Sequence, residues 1–172
     1  MRRFKITILA SAVSLFAVST PAFAQVFSLS PSTVTGGSVQ FTGDPVNLAQ
    51  SINIDCKVTV NANVVAAPGS NNMNVTSQSI SAGNLFCGVL VYPYAPNPWK
   101  IEAVSAAGQQ VRVYVSANTT TNKPCAGWIN ASIAADKRTI NIVNATIPAI
   151  NAGDPSCRIN GPIKSNKDIY VL

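Results

Sequence analysis

The side chains that could carry out chemistry in this chain are few, and their types and spacing argue against an enzyme. The 172-residue sequence has no histidine, the commonest general base and metal ligand. Its six acidic residues never lie closer than eleven positions, so no carboxylate cluster marks a metal-binding loop. Neither a Ser-x-x-Lys dyad nor a glycine-rich phosphate-binding motif occurs. We expect no catalytic residue, metal site or cofactor. Two distant acids that meet in space, as in glycosidases, are the open enzymatic alternative.

Four cysteines supply the remaining reactive side chains: Cys56, Cys87, Cys125 and Cys157. An even number of cysteines in an exported protein predicts two disulfides. Metal binding is disfavoured because no two of these thiols are close in sequence and no histidine can assist them. Four cysteines allow three pairings, of which Cys56 with Cys87 and Cys125 with Cys157 is the most local. The sequence does not choose among the three.

The first 24 residues have the features of a secretory signal peptide. A basic start, residues 2–5, precedes an apolar stretch over residues 6–18, and a small-x-small cleavage site ends at Ala24. A transmembrane helix is the alternative, but the apolar stretch is short for one. We expect cleavage after Ala24 and a mature chain without a transmembrane segment. Its destination would be the outside, the outer surface or the periplasm of a Gram-negative cell.

The charge of the mature chain is small and dispersed. Without residues 1–24 it carries nine Lys and Arg against six Asp and Glu, and only Lys137 and Arg138 are adjacent basic residues. A nucleic-acid-binding surface needs a basic patch or stripe, which this distribution does not supply. We therefore expect no nucleic-acid partner.

Alternation of apolar and polar residues predicts strands along most of the mature chain. Residues 51–66 are apolar at every second position from Ile52 to Ala66, and residues 111–117 repeat the pattern. Further candidate strands span residues 37–42, 74–81, 87–92, 99–103, 128–134, 139–147, 157–163 and 168–172. Turns rich in Asn, Gly and Pro separate them. We predict a single all-β domain over residues 25–172, an antiparallel β-sandwich with Greek-key, immunoglobulin-like or jelly-roll connections. A closed barrel is the alternative.

One aromatic and proline-rich segment predicts a contact surface. Its residues are Tyr92, Pro93, Tyr94, Pro96, Pro98 and Trp99. Exposed, this rigid apolar loop would contact a hydrocarbon or lipid surface, or another subunit. The alternative places Trp99, together with Trp128, in the core beside the disulfides.

Three short motifs, together with the cysteine layout, resemble a known family. They are Asn97-Pro98-Trp99, Cys125-Ala126-Gly127-Trp128 and Pro155-Ser156-Cys157-Arg158-Ile159-Asn160-Gly161. The chain resembles the PraB-type family over residues 38–165, small exported proteins called activators of alkane oxidation. The resemblance implies an extracellular, non-catalytic role, either helping cells to use or emulsify water-insoluble hydrocarbon or forming cell-surface and biofilm-matrix material. It carries over no catalytic residue.

The chain ends suggest a competing function, that of a pilus-like or adhesive fibre subunit. Val26, Phe27 and Leu29 form a short apolar segment that could be donated as a strand to a second copy. The C-terminal Tyr170 loosely resembles the terminal tyrosine of chaperone-usher pilins, although it is antepenultimate here rather than penultimate. The alternative for both ends is a strand completed within the same chain.

Overall fold

The computed structural model describes residues 25–67, 70–81 and 86–172, so the predicted signal peptide, residues 1–24, lies outside the described part of the chain. The described residues form eleven strands and one 3-10 helix, Ala107–Gln109. In chain order the strands are β1 (Phe27–Ser28), β2 (Gly37–Ala49), β3 (Asn53–Val64), β4 (Asn72–Ser81), β5 (Val91–Pro93), β6 (Lys100–Ser105), β7 (Gln110–Thr119), β8 (Cys125–Ile133), β9 (Thr139–Ile147), β10 (Cys157–Ser165) and β11 (Tyr170–Val171). Among these residues no helix has the length and apolar character needed to span a membrane.

Eight of the nine strands in the larger antiparallel sheet close on themselves as a barrel, and the ninth, β5, pairs with β7. Around the barrel the order is β2, β3, β4, β6, β7, β8, β9 and β10, and β10 then pairs with β2. Each strand therefore lies beside its neighbour in sequence, which is an up-and-down arrangement. The all-β prediction is confirmed. The predicted sandwich with Greek-key, immunoglobulin-like or jelly-roll connections is wrong, and the closed-barrel alternative is the one that forms.

The physical reason for this difference lies in the connections and in the first and last barrel strands. All but one of the links between consecutive barrel strands are nine residues or fewer, so each strand turns back directly onto its neighbour. The ladder between β10 and β2 then joins the two ends of the sheet, from Arg158 opposite Ala49 to Ser165 opposite Phe41. Closure removes the exposed strand edges that an open sheet would leave.

Alternate side chains of each barrel strand point inward and fill the barrel. In β3 the inward residues, Ile54, Cys56, Val58, Val60, Ala62 and Val64, are all buried. The predicted alternation over residues 51–66 is thus confirmed within β3. Ile52 and Ala66 lie beyond its ends, and the Ile52 side chain is 56% exposed. Inward apolar residues of small barrels make a packed core rather than a pore.

Strands β1 and β11 together close one end of the barrel, which we call the plugged end. Phe27 of β1 lies opposite Val171 of β11, and both side chains are buried. Two backbone hydrogen bonds join Val26 to Leu172, at 3.1 and 2.9 Å. The segment predicted as a detachable strand, Val26, Phe27 and Leu29, is therefore paired and packed within its own chain, because its apolar side chains cover the barrel core.

Both disulfides lie at the opposite end, which we call the disulfide end. The bonds are Cys56–Cys87 and Cys125–Cys157, so the two predicted disulfides are confirmed and the most local pairing is the one that forms. Cys125 and Cys157 are the first residues of β8 and β10, and their bond spans the end of β9. The other bond ties β3 to the segment that precedes β5.

Candidate functional site

The barrel interior is not completely filled at the disulfide end, where a cavity of about 150 Å³ remains. Inward side chains of six barrel strands or their flanking segments form its apolar wall. They are Leu48, Ile54, Ile80, Trp99, Val115, Ala117 and Ile147. The loops at residues 50–52 and 119–121 complete the lining at the solvent side. A partly enclosed apolar space at the mouth of a β-barrel is a common type of small-ligand site.

Trp99 is the largest wall residue and is held in place by two hydrogen bonds. Its indole Nε1–H donates to the Ser116 carbonyl at 2.8 Å, and its backbone N–H donates to Oε1 of Gln78 at 2.7 Å. Strands β4 and β6 pair at only two positions, and Trp99 lies just before β6, where this ladder has ended. The indole therefore fills the space where β4 and β6 are no longer paired, and its two hydrogen bonds make it a rigid part of the cavity wall.

The structure divides the predicted aromatic contact loop between the surface and the core. Pro96 and Pro98 are exposed, and Tyr92, Pro93 and Tyr94 are half-buried. The Ser116 hydroxyl donates its one proton to the Asn97 carbonyl, and the Tyr94 carbonyl is a second, longer acceptor, which fastens the turn to the outer face of β7. Trp99 is only 2% exposed, so it is not available to an external surface and instead faces the cavity.

Trp128 lies elsewhere, on the outer face of β8, and is 38% exposed. The Trp128 ring forms an edge-to-face contact with the Tyr114 ring, and the two ring centroids are 5.3 Å apart. The Arg112 guanidinium lies 4.5 Å from the centroid of the Trp128 ring. The alternative that placed both tryptophans in the core is thus right for Trp99 and wrong for Trp128. The two indoles occupy different environments, which makes them separable as probes.

Large exposed apolar side chains lie on the segments that surround the disulfide end. Ile52 belongs to the loop between β2 and β3, and Phe86 and Val89 flank Cys87. Ile150 lies in the loop after β9, where its N–H donates to the Pro124 carbonyl beside Cys125. These four residues, 42 to 65% exposed, form what we call the apolar rim.

The sequence did not single out the apolar rim, for two reasons. Ile52 continues the alternation of β3, and the pattern therefore predicts an inward residue there. Phe86 lies next to a predicted strand over residues 87–92, and Val89 lies within that predicted strand. The strand that the structure shows there, β5, covers only Val91–Pro93. Only the tertiary structure brings the rim segments to one end of the molecule.

The charged groups of the described residues are mostly remote from the cavity. Arg158 is the one charged residue in its lining. The two ion pairs of the described chain, Arg112–Glu102 and Arg138–Asp168, both measure 2.5 Å and involve other strands and turns. No cluster of three or more metal-ligating His, Cys, Asp or Glu side chains occurs in the described ranges.

The fold and the site define a closed, disulfide-bonded β-barrel with an apolar cavity at one mouth, a class of protein suited to small apolar ligands. The whole chain, residues 1–172, matches the family described as alkane oxidation protein activator PraA/PraB-like. The chain therefore belongs to this family, and the resemblance drawn from its sequence motifs is confirmed. Comparisons with curated proteins and with solved structures gave no match.

Proposed function

We propose that the mature chain acts outside the cytoplasm as a non-catalytic accessory to alkane use, and that the barrel mouth holds part of an aliphatic chain. Family membership supports a role as an activator of alkane oxidation. The observation that carries the ligand class is the apolar cavity at the disulfide end. The apolar rim supports the same proposal, because it would let this end of the barrel rest on a hydrocarbon or lipid surface.

The size of the cavity limits how much of a ligand it can enclose. Its volume of about 150 Å³ equals that of an engineered apolar cavity that binds benzene, so roughly six carbons would fit inside. A longer alkane would leave the remainder of its chain against Ile52, Phe86 and Val89 of the apolar rim. The barrel is thus suited to binding one end of an alkane rather than enclosing the whole molecule.

The expected affinity is low, which suits transfer rather than storage. Burial of six carbons at about 0.8 kcal/mol each yields at most about 5 kcal/mol, before the entropy cost of association is subtracted. Without that cost, about 5 kcal/mol corresponds to a dissociation constant of roughly 0.2 mM, so the actual constant is larger than this. A ligand held this weakly dissociates readily and can be passed to a downstream component.

Fluorescence quenching by a bromoalkane tests the proposal directly. The chain has two tryptophans, so Trp128→Phe leaves Trp99 as the sole indole, at the cavity wall, and Trp99→Phe leaves Trp128 on the outer face. We expect 1-bromohexane to quench Trp99 saturably, and an excess of n-hexane to reverse the effect. The matched Trp99→Phe variant, in which Trp128 is the sole indole, should show only weak quenching that rises linearly with the bromoalkane concentration. Equal, non-saturating quenching of both variants would contradict the proposal.

A fibre subunit that assembles by strand donation is the second candidate, and one structural feature favours it. Strand β1 pairs only with β11 and takes no part in the barrel ladder, so its exchange between copies would leave the barrel intact. Ser28 lies opposite Tyr170, so the double variant Ser28→Cys and Tyr170→Cys would lock β1 to its own chain. Donation predicts filaments in negative-stain images that disappear in the locked variant. Filaments that persist after locking would exclude β1 as the donor.

A further inference from the structure

We propose that a groove on the outside of the barrel binds a neutral sugar chain. This outer groove shares no lining residue with the cavity, and its volume of about 450 Å³ lies in the usual range of small-ligand sites, roughly 300 to 1,000 Å³. It crosses four neighbouring strands, β6 to β9. Its lining residues are Val104, Gln110, Val111, Asn130, Ala131, Ser132, Asn141 and Val143.

Alternation along the strands places the polar lining side chains on the outer face. Ile129 of β8 is buried and points inward, so Asn130 and Ser132 point outward. In the ladders, Gln110 of β7 lies opposite Ser132, and Ser132 lies opposite Asn141 of β9. Residues opposite each other in a ladder share a face of the sheet, so these side chains form one polar row across three strands.

The groove opens because β8 and β9 separate beside this row. The two strands pair at only two positions, of which Ser132 with Asn141 is the one nearer the groove. A bulge in β9 follows, where Asn144 has a positive φ of 43°. The next outward residues of the two strands, Asn130 and Val143, therefore do not pair with each other and line the groove instead.

The chemistry of the lining suits an uncharged ligand with many hydroxyl groups. All the lining residues are uncharged, so they offer neither a cation to an anionic ligand nor a carboxylate to a metal ion. The amides of Gln110, Asn130 and Asn141 each combine donors with an acceptor, as adjacent hydroxyls of a sugar do. Val104 and Val143, on the first and last of the four strands, are 47% and 75% exposed and can contact the C–H groups of a sugar ring.

The three amides are available because none of them forms a side-chain hydrogen bond with another described residue. The outward amides of β2 and β3 differ in this respect. Gln40 donates to Asn61 at 2.9 Å, and Asn61 donates to the Ser77 hydroxyl at 2.8 Å. A sugar in the outer groove would therefore break no hydrogen bond between these amides and the rest of the described chain.

Trp128 extends the same face beyond the groove. It lies two residues from Asn130 along β8, which is about 7 Å, and is 38% exposed. The Arg112 guanidinium beside its ring is paired with Glu102 at 2.5 Å, so this flank adds aromatic surface without net charge. The C–H face of a sugar ring can pack on an aromatic side chain. A chain of several sugar units could thus run from the groove to the indole.

Retardation in native gels that contain a soluble polysaccharide tests the proposal on residues 25–172. The neutral probes are dextran, a mannan and a galactan, and alginate serves as the anionic comparison. The variants are Asn141→Ala in the groove and Trp128→Ala on its flank. Asn53→Ala is the matched control, because Asn53 is an exposed asparagine on the outer face of β3 and lies outside the groove.

We expect at least one neutral polysaccharide to retard the parent protein at both low and high salt. Asn141→Ala should raise the dissociation constant about three- to tenfold, because it removes one hydrogen-bonding side chain. Trp128→Ala should raise the constant by a similar factor through the loss of ring contact. Asn53→Ala should leave it unchanged.

Four results would overturn the proposal. The first is retardation by none of the three neutral polysaccharides, and the second is retardation that Asn141→Ala and Trp128→Ala do not change. The third is retardation by alginate alone that disappears in high salt, which would indicate binding driven by net charge. The fourth is self-association that the groove variants abolish, which would make the outer groove a contact between copies. None of these results depends on the cavity, so the proposed function is tested separately.

Discussion

Ala117→Leu tests whether the cavity is a real void, because it adds three carbons to a side chain that lines it. The apolar space of about 150 Å³ is large enough to hold these three carbons. Three buried carbons would recover about 2.4 kcal/mol at most, less about 0.5 to 1 kcal/mol for the lost rotamer freedom of leucine. We therefore expect stabilisation of about 1 to 2 kcal/mol, together with weaker binding of 1-bromohexane.

The assay is urea unfolding with both disulfides intact, followed by Trp99 fluorescence in the Trp128→Phe background. Ala103→Leu is the matched control, because Ala103 and Ala117 are both 6% exposed but Ala103 does not line the cavity. The same three carbons should destabilise at Ala103 by about 1 to 3 kcal/mol, since they enter a packed core. If Ala117→Leu destabilises the protein as much as Ala103→Leu does, the space at the disulfide end is not available to a ligand, and our account of the site is refuted.

Three further predictions concern stability. Replacing Cys125 and Cys157 by alanine should lower the free energy of unfolding by about 3 to 4 kcal/mol, because the bond closes a loop with a sequence separation of 32; a loss below about 1 kcal/mol in urea titration would contradict this. Hydrogen bonds from the following turn lower the pKa of Asp136 from 3.8 to about 2, so its stabilising effect should be complete above pH 4 and be lost as the pH falls toward 2. Acid titration of Asp136→Asn should lack this component, and an identical acid profile would argue against it. Gly43→Ala should destabilise by about 1 to 3 kcal/mol, since a Cβ there would lie 2.4 Å from a methyl group of Val46; an unchanged melting temperature would show that the barrel relaxes at this point.

The sequence predicted the local structure of β3 well because a single physical rule governs it. One side of each barrel strand faces a packed core and the other faces water, so apolar residues recur at every second position from Ile54 to Val64. The same rule fails at Ile52, which continues the pattern but lies in a loop at the barrel mouth. Periodicity reports which face of a strand is apolar, and it does not report where the strand ends.

The candidate site was only partly predictable. Trp99 was identified from its aromatic and proline-rich surroundings, but its position at the cavity wall depends on the hydrogen bonds to Gln78 and Ser116, which lie on β4 and β7.

The sequence by itself determined the strand-forming character of residues 25–172, the presence of two disulfides and the membership of the family. Each of these depends on residue type, count or short-range spacing. Tertiary structure alone decided that the sheet closes through the ladder of β10 with β2, that Val26 and Phe27 plug one end, and that a cavity remains at the other. These features arise from which distant strands meet and from how completely their side chains fill the enclosed space, and alternation along one strand carries no information about either.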